Sequence, residues 1–216
     1  MRMTFPGPSR LTRPPVTVLV LVLAALAIST PDAQSSAQNS ADAAWLTEVL
    51  AVKEGATIGE VGAGDGALTL LLAKTVGPSG RILSNELNRD RVRGVGEAAA
   101  AAGLHNVTPV QGSEAETNFP ERCCDGIFMR DVYHHFNDPS AMNGSLLKSL
   151  KPGGRLAIID FTPPPGGENP PGHRSEDNHH GITAATLERE LTAAGFEIVS
   201  STTESRAVRV VARRPA

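Results

Sequence analysis

Ala56-Thr57-Ile58-Gly59-Glu60-Val61-Gly62-Ala63-Gly64-Asp65-Gly66 is the stretch that decides how this chain reads. It begins as a short, partly apolar run and ends in three alternating glycines. An apolar helical pattern, Ala67-Leu68-Thr69-Leu70-Leu71-Leu72-Ala73, follows at once. That order predicts strand, tight turn, helix. Glycines at such a turn allow φ > 0 and let a ligand approach the backbone with no Cβ in the way. The helix behind the turn offers free N–H groups and a positive dipole end. An acidic residue at the strand end, Glu60, is unusual if the turn is only structural. Its carboxylate suits a ligand carrying ammonium or hydroxyl donors.

Working outward, Arg81 to Glu86 reads as a second strand that also ends in a carboxylate. Asn88 caps a helix from Arg89 to Ala102, and Gly103 closes it. Asn106 to Val110 is a third strand, and Gln111 to Arg122 a polar loop. Cys124 to Met129 is a fourth strand, leading into the polar, aromatic-rich loop Arg130 to Pro139. Ser140 to Leu150 is a helix, Lys151-Pro152-Gly153-Gly154 a sharp turn, and Arg155 to Phe161 a strongly apolar fifth strand. A long Pro-, Gly- and His-containing loop, Thr162 to Gly181, precedes a helix capped by Thr183. Loops of that length inside a compact domain are usually functional or disordered. Phe196 to Ser201 and Ala207 to Ala212 are two closing strands, near enough in sequence to pair antiparallel. Strands alternating with helices predict a mostly parallel sheet covered on both faces. Its ligand crevice lies outside the carboxyl ends of the strands. The glycine turn, Glu86, the Gln111 loop and the Arg130 loop all fall on that edge.

The chain has 216 residues, 40% of them apolar, and a formal net charge of −3. That suits one globular domain with an N-terminal extra. The near-neutral balance gives no electrostatic case for nucleic acid or an anionic membrane surface. With 4% aromatic residues, a base-stacking platform is not expected either. The adjacent Cys123 and Cys124 are expected to stay unpaired, because neighbouring cysteines strain the ring that a disulfide would close.

Residues 1–33 have the layout of a targeting segment. Arg2, Arg10 and Arg13 precede an uncharged apolar run of 13 residues, Val16 to Ile28, and a small polar stretch follows. The run is short beside the ~20 residues of a membrane span. Three readings stand: an export signal removed near Ser29, Ala33 or Ala37, a retained membrane anchor, or a mis-assigned start on a cytoplasmic protein. Residues 34–44 are expected to be a flexible linker. The globular domain, 45–216, then opens on a short helix carrying Trp45, Leu46, Val49 and Leu50.

From Trp45 to about Ala212 the chain resembles a class I S-adenosylmethionine-dependent methyltransferase. Glu60 to Gly66 looks like that family's first motif. Glu86 stands 20 residues after Gly66, where a ribose-binding acid belongs. Cys124-Asp125-Gly126-Ile127-Phe128 is similar to the family's fourth strand, and Leu147 to Leu156 to the turn entering its fifth. Asp131-Val132-Tyr133-His134-His135-Phe136, followed by a His-Gly-Ile-Thr segment, resembles a small-molecule methyltransferase branch.

The resemblance implies a doubly wound, seven-stranded Rossmann-like α/β sheet with an antiparallel last strand. It implies S-adenosyl-L-methionine as cofactor, held by Glu60, Gly62, Ala63, Gly64, Gly66, Glu86 and Arg130. In the loop after the third strand the family often has an aspartate for the adenine amino group. Here Ser113 or Glu114 takes that place. The acceptor would be a small molecule, with Asp131, Tyr133, His134, His135 and His180 shaping or deprotonating it. The rival readings are a non-catalytic protein of the same fold and an NAD(P)-dependent oxidoreductase, since Gly62-x-Gly64-x-x-Ala67 satisfies the looser dinucleotide pattern. Glu60 would sit poorly beside a pyrophosphate.

His173, His179 and His180 admit three readings: lid residues, solvated loop residues, or metal ligands together with His134 or His135. Histidine spacing without a thiol or carboxylate framework assigns no metal site.

Overall fold

A computed structural model of the chain describes residues 1–3, 31–165, 167–174 and 180–216, with residues 31–33 described by backbone alone. Most of the targeting segment, and His179, lie outside the described residues. Among those described, no helix is long and apolar enough to cross a membrane.

The described residues build one sheet of seven strands in the order β3-β2-β1-β4-β5-β7-β6. These are β1 (Thr57–Val61), β2 (Arg81–Glu86), β3 (Val107–Gln111), β4 (Cys124–Arg130), β5 (Leu150–Phe161), β6 (Glu197–Glu204) and β7 (Ala207–Arg213). β1, β2, β3, β4 and β5 pair in parallel, whereas β7 lies antiparallel between β5 and β6. This is the doubly wound sheet with a reversed last strand that the alternation predicts. The central strands are buried almost throughout: Ile58, Ile127, Phe128 and Ile158 are fully enclosed. Burial on both faces is what a near-continuous apolar strand requires.

The helices are α1 (Pro31–Val49), α2 (Ala67–Val76), α3 (Arg89–Ala101), α4 (Pro139–Ser149) and α5 (Ala184–Ala193). Asn88 caps α3 by accepting from the Asp90 and Arg91 N–H groups, and Thr183 caps α5 by accepting from Thr186 N–H. Both caps stand where the sequence places them.

Two expectations are corrected. Residues 34–44, expected as a flexible linker, belong to α1. Their small polar composition is overridden by tertiary contacts. Asp42 is buried and accepts from Gln38 Nε2 at 3.0 Å, Arg130 Nη1 at 3.2 Å and Arg209 Nη2 at 3.1 Å. Leu46 and Leu50 then seat the same helix in the core. The second correction is at the entry to β4, where Cys123 and Cys124 are joined as a vicinal disulfide. The pair sits where the β4–β5 register breaks, between Cys124 and Gly126, so the backbone there is already released from the regular pleat.

Candidate functional site

A cavity of about 450 Å³ opens at the carboxyl edge of the sheet. The ends of β1 and β2 supply Gly62, Gly64, Asn85, Glu86 and Leu87, and the loop after β3 supplies Ser113 and Glu114. The end of β4 supplies Arg130, Asp131, Val132 and His135.

The glycine turn is laced to β2 by main-chain hydrogen bonds. Gly62 N–H and Ala63 N–H both donate to Asn85 O, at 3.0 and 2.9 Å. Gly62 has φ +73°, and a Cβ there would overlap the Val132 side chain. Gly64, at φ +59°, has no atom within 4 Å of its would-be Cβ, which leaves the backbone open toward a ligand. Gly64 N–H donates to Glu86 Oε2 at 3.0 Å. The other carboxylate oxygen accepts from Leu87 N–H at 2.8 Å and Asn88 N–H at 3.2 Å. Glu86 is therefore aimed by the backbone on both oxygens, and Oε2, bound to a single N–H, keeps acceptor capacity for a diol.

Glu60 does not line the cavity. Its carboxyl is buried behind the turn and accepts from the Thr69 hydroxyl of α2, which in turn meets Ser84 Oγ at 2.8 Å. Burial pushes its pKa up to about 8, the Thr69 bond and Arg130 opposing. Ala63 and Gly66 also shape the turn without facing the cavity: Gly66 N–H donates to Ala63 O at 2.9 Å, and Gly66 starts α2 in the left-handed conformation.

After β4 the chain makes a 3-10 turn, Tyr133–His135. Three residues per turn send successive side chains about a third of a circle apart. Tyr133 goes into the core, fully buried, with its hydroxyl donating to Glu190 Oε2 at 3.1 Å and accepting from Asn143 Nδ2 at 2.7 Å. The expectation that it packs on cofactor or substrate does not hold. His134 is also buried, its Nδ1 2.8 Å from Asp160 Oδ1. Only His135 of the three reaches the cavity. His180 does not line it but packs edge-on against the His135 ring, 5.4 Å between centroids. Asp131 stands at φ +56°, its N–H donating to Ile159 O at 2.9 Å. Burial, and secondarily the Asp160 carboxylate, raise its pKa. Arg130 lines the cavity with its guanidinium already held by Asn39 Oδ1 at 2.6 Å and by Asp42.

The sequence reading missed Asn85, Leu87, Arg91, Asn137 and Met142 as cavity residues. Leu87 directly follows Glu86 and Arg91 stands in the first turn of α3, so carrying the strand-end argument into that helix finds them. Met142 is placed by packing, and Asn137 by contacts distant in sequence, its Oδ1 accepting from Arg174 N–H at 3.0 Å and its carbonyl from Gly172 N–H at 2.9 Å.

The sequence profile of the methyltransferase domain family matches residues 28–201. The chain belongs to the methyltransferase domain family. Among sequence relatives, this chain is similar to the ubiquinone/menaquinone biosynthesis C-methyltransferase UbiE of Saccharophagus degradans, with 29% identity over 121 residues, 56% of this chain and 49% of that one. It is also similar to the demethylmenaquinone methyltransferase of Listeria monocytogenes, with 26% identity over 123 residues, 56% of this chain and 52% of the other. The chain spans about half the length of these relatives. Among solved structures, an S-adenosylmethionine-dependent methyltransferase from Aquifex aeolicus superposes with TM-score 0.68 at 23% identity, covering 83% of this chain and 98% of that one. At that identity the likeness concerns the fold.

Proposed function

We propose that the protein transfers a methyl group from S-adenosyl-L-methionine to a small-molecule acceptor. The observation that carries this is the joint lining of one cavity by Gly62 and Gly64, by Glu86, and by the β4-end residues Asp131 and His135. Gly64 gives close backbone approach for the methionine portion, and the Glu86 carboxylate accepts from the ribose hydroxyls. Leu87, 52% exposed beside Glu86, offers an apolar face for the adenine ring. The cofactor supplies an activated methyl on a positively charged sulfur. The protein brings acceptor and methyl together and, for a weak nucleophile, removes a proton. Asp131 and His135 are the titratable groups of the β4 turn that face the cavity, and they are the bases assigned. The quinone-pathway names of the sequence relatives support an acceptor that is a small molecule.

The order of the sheet supports the methyltransferase reading over a nicotinamide-dependent one, because β7 runs antiparallel between β5 and β6. Calorimetric titration with S-adenosylmethionine and with NAD tests it. Binding of S-adenosylmethionine is expected, and binding of NAD alone overturns the proposal. Labelled-methyl transfer to pooled metabolites then separates an enzyme from a cofactor-binding scaffold.

The Arg-flanked apolar run Val16 to Ile28 supports export or membrane anchoring of the domain. Cell fractionation with N-terminal sequencing of the mature chain checks that, and an intact Met1 on soluble cytoplasmic protein refutes it.

A further inference from the structure

Beside the cavity stands a side-chain cluster that methyl transfer does not by itself explain. His134, His135 and His180 each present a ring nitrogen, and these atoms lie within 4.8 Å of one another. The ring centroids of His134 and His135 are 4.0 Å apart, and those of His134 and His180 5.7 Å.

His134 is committed to one tautomer. The Asp160 carboxylate is buried and can only accept. Oδ1 takes the Phe161 N–H at 2.9 Å as well as His134 Nδ1, and Oδ2 takes the His134 main-chain N–H at 3.2 Å. Nδ1 therefore carries the proton, and Nε2 is the lone-pair donor. A carboxylate behind an imidazole in this way fixes ring orientation and raises basicity.

His180 is pinned by its neighbours. Gly181 has φ +130°, and a Cβ on it would stand 2.6 Å from Pro163 N and 2.7 Å from Pro163 Cα. Ile182 N–H donates to Phe161 O at 2.8 Å. The segment thus lies against the end of β5, the strand that carries Asp160, and only glycine permits so close an approach.

We propose that His134, His135 and His180 form a site for a divalent late transition-metal ion, zinc first, with Asp160 orienting His134. Three imidazoles select such ions over magnesium or calcium, which take oxygen donors. Zinc–nitrogen bonds of about 2.0–2.1 Å place tetrahedral ligand atoms about 3.4 Å apart. The cluster closes by a little over an ångström on loading, which the exposed His135 and the half-buried His180 accommodate by side-chain rotation. Three protein ligands leave an open coordination position, as in catalytic rather than structural zinc sites. Since His135 also lines the cavity, that position adjoins the place of the acceptor. There the ion anchors an oxygen or nitrogen of the acceptor, a clause that rests on the proposed methyl transfer. The metal site itself does not.

Full-length protein is stripped with a chelator, dialysed, and titrated with Co2+ as an optical probe, then with Zn2+ in competition. One equivalent of cobalt should bind with visible absorption typical of low coordination number. His135→Ala and His180→Ala should each weaken binding at least about 100-fold. Asp160→Asn should weaken it about 10- to 100-fold. His105→Ala, distant and exposed, should change nothing. Circular dichroism confirms folding of the His135 and His180 variants, neither of which fills the core. Absence of stoichiometric cobalt binding overturns the site, and so does binding that survives in the His135→Ala/His180→Ala double variant. S-adenosylmethionine titrated into the same metal-free samples reports the cofactor reading separately, so the two proposals fail independently.

Discussion

The two sides of the cavity are made of different material. The β1–β2 side is backbone: Gly62, Ala63 and Gly64 are tied to Asn85 O and the Glu86 carboxylate, and Glu86 is held by three main-chain N–H groups. The β4 side is side chains, thrown out from a 3-10 turn and met by a histidine from a loop some 45 residues on. Backbone geometry is set by a few adjacent residues, above all by glycines that permit it. Side-chain convergence depends on where distant segments are brought. The first kind of site fits a cofactor of constant shape. The second can be revised, one side chain at a time, to suit an acceptor.

Breaking the backbone side should have the largest effect. Gly62→Ala adds a Cβ at φ +73° that overlaps Val132. The left-handed conformation costs about 1–2 kcal/mol and the overlap about 1–3 more. Urea unfolding should therefore show a loss of roughly 2–5 kcal/mol, and calorimetry a large loss of cofactor affinity. A variant as stable as the parent would show that the turn is not rigid.

Glu86→Ala should weaken S-adenosylmethionine binding about 10- to 100-fold, the worth of hydrogen bonds to a charged acceptor at ~1.5–3 kcal/mol. Unchanged affinity would remove Glu86 from the cofactor.

On the β4 side, Tyr133→Phe separates position from function. It strands Asn143 Nδ2 in a buried network, while Glu190 Oε2 keeps its bond from Arg174 Nη1. The expected cost is about 1–3 kcal/mol in stability, with kcat for whichever acceptor is found left within about twofold. A collapse of kcat in a normally stable variant would return Tyr133 to the reacting groups.

The remaining test concerns Glu60, behind the glycine turn, and is read as a dependence on pH. Its folded pKa of about 8 lies above its ordinary 4.5. The native state thus holds a proton that the unfolded chain gives up between those values. Stability from this group is complete below about pH 4.5 and is lost as pH rises toward 8. Melting temperatures from pH 5 to 9 should fall more steeply for the parent than for Glu60→Gln. Parallel curves would mean that the carboxyl ionises freely in place.

The same division explains what the sequence made legible. The glycine turn, Glu86, the caps Asn88 and Thr183 and the succession of strands and helices follow from local pattern, because their causes lie within a few residues. Within Asp131 to His135 the residue types are visible, but a 3-10 turn decides that Tyr133 faces the core, His134 faces Asp160 and His135 faces the cavity. Asp160 looked like one more residue of an apolar strand, since its partner is 26 positions away. Residues 34–44 looked like a linker because Asp42 gives no sign of its two arginine partners until Arg130 and Arg209 are brought to it.

The place of β7 has a consequence for how the molecule comes into being. It comes last of the sheet's strands in chain order, yet it lies inside the sheet, with β5 on one side and β6 on the other. It also carries Arg209, which meets Asp42 across 167 residues of sequence. A chain still emerging from the ribosome therefore has neither a partner for β6 nor a full complement of partners for its first helix. Ribosome-stalled chains ending before Ala207 should stay protease-sensitive in both regions, and protection there would show that docking runs ahead of synthesis. Closure of the sheet waits on the segment after Glu204, and until that segment is available the first helix and β6 both lack a partner.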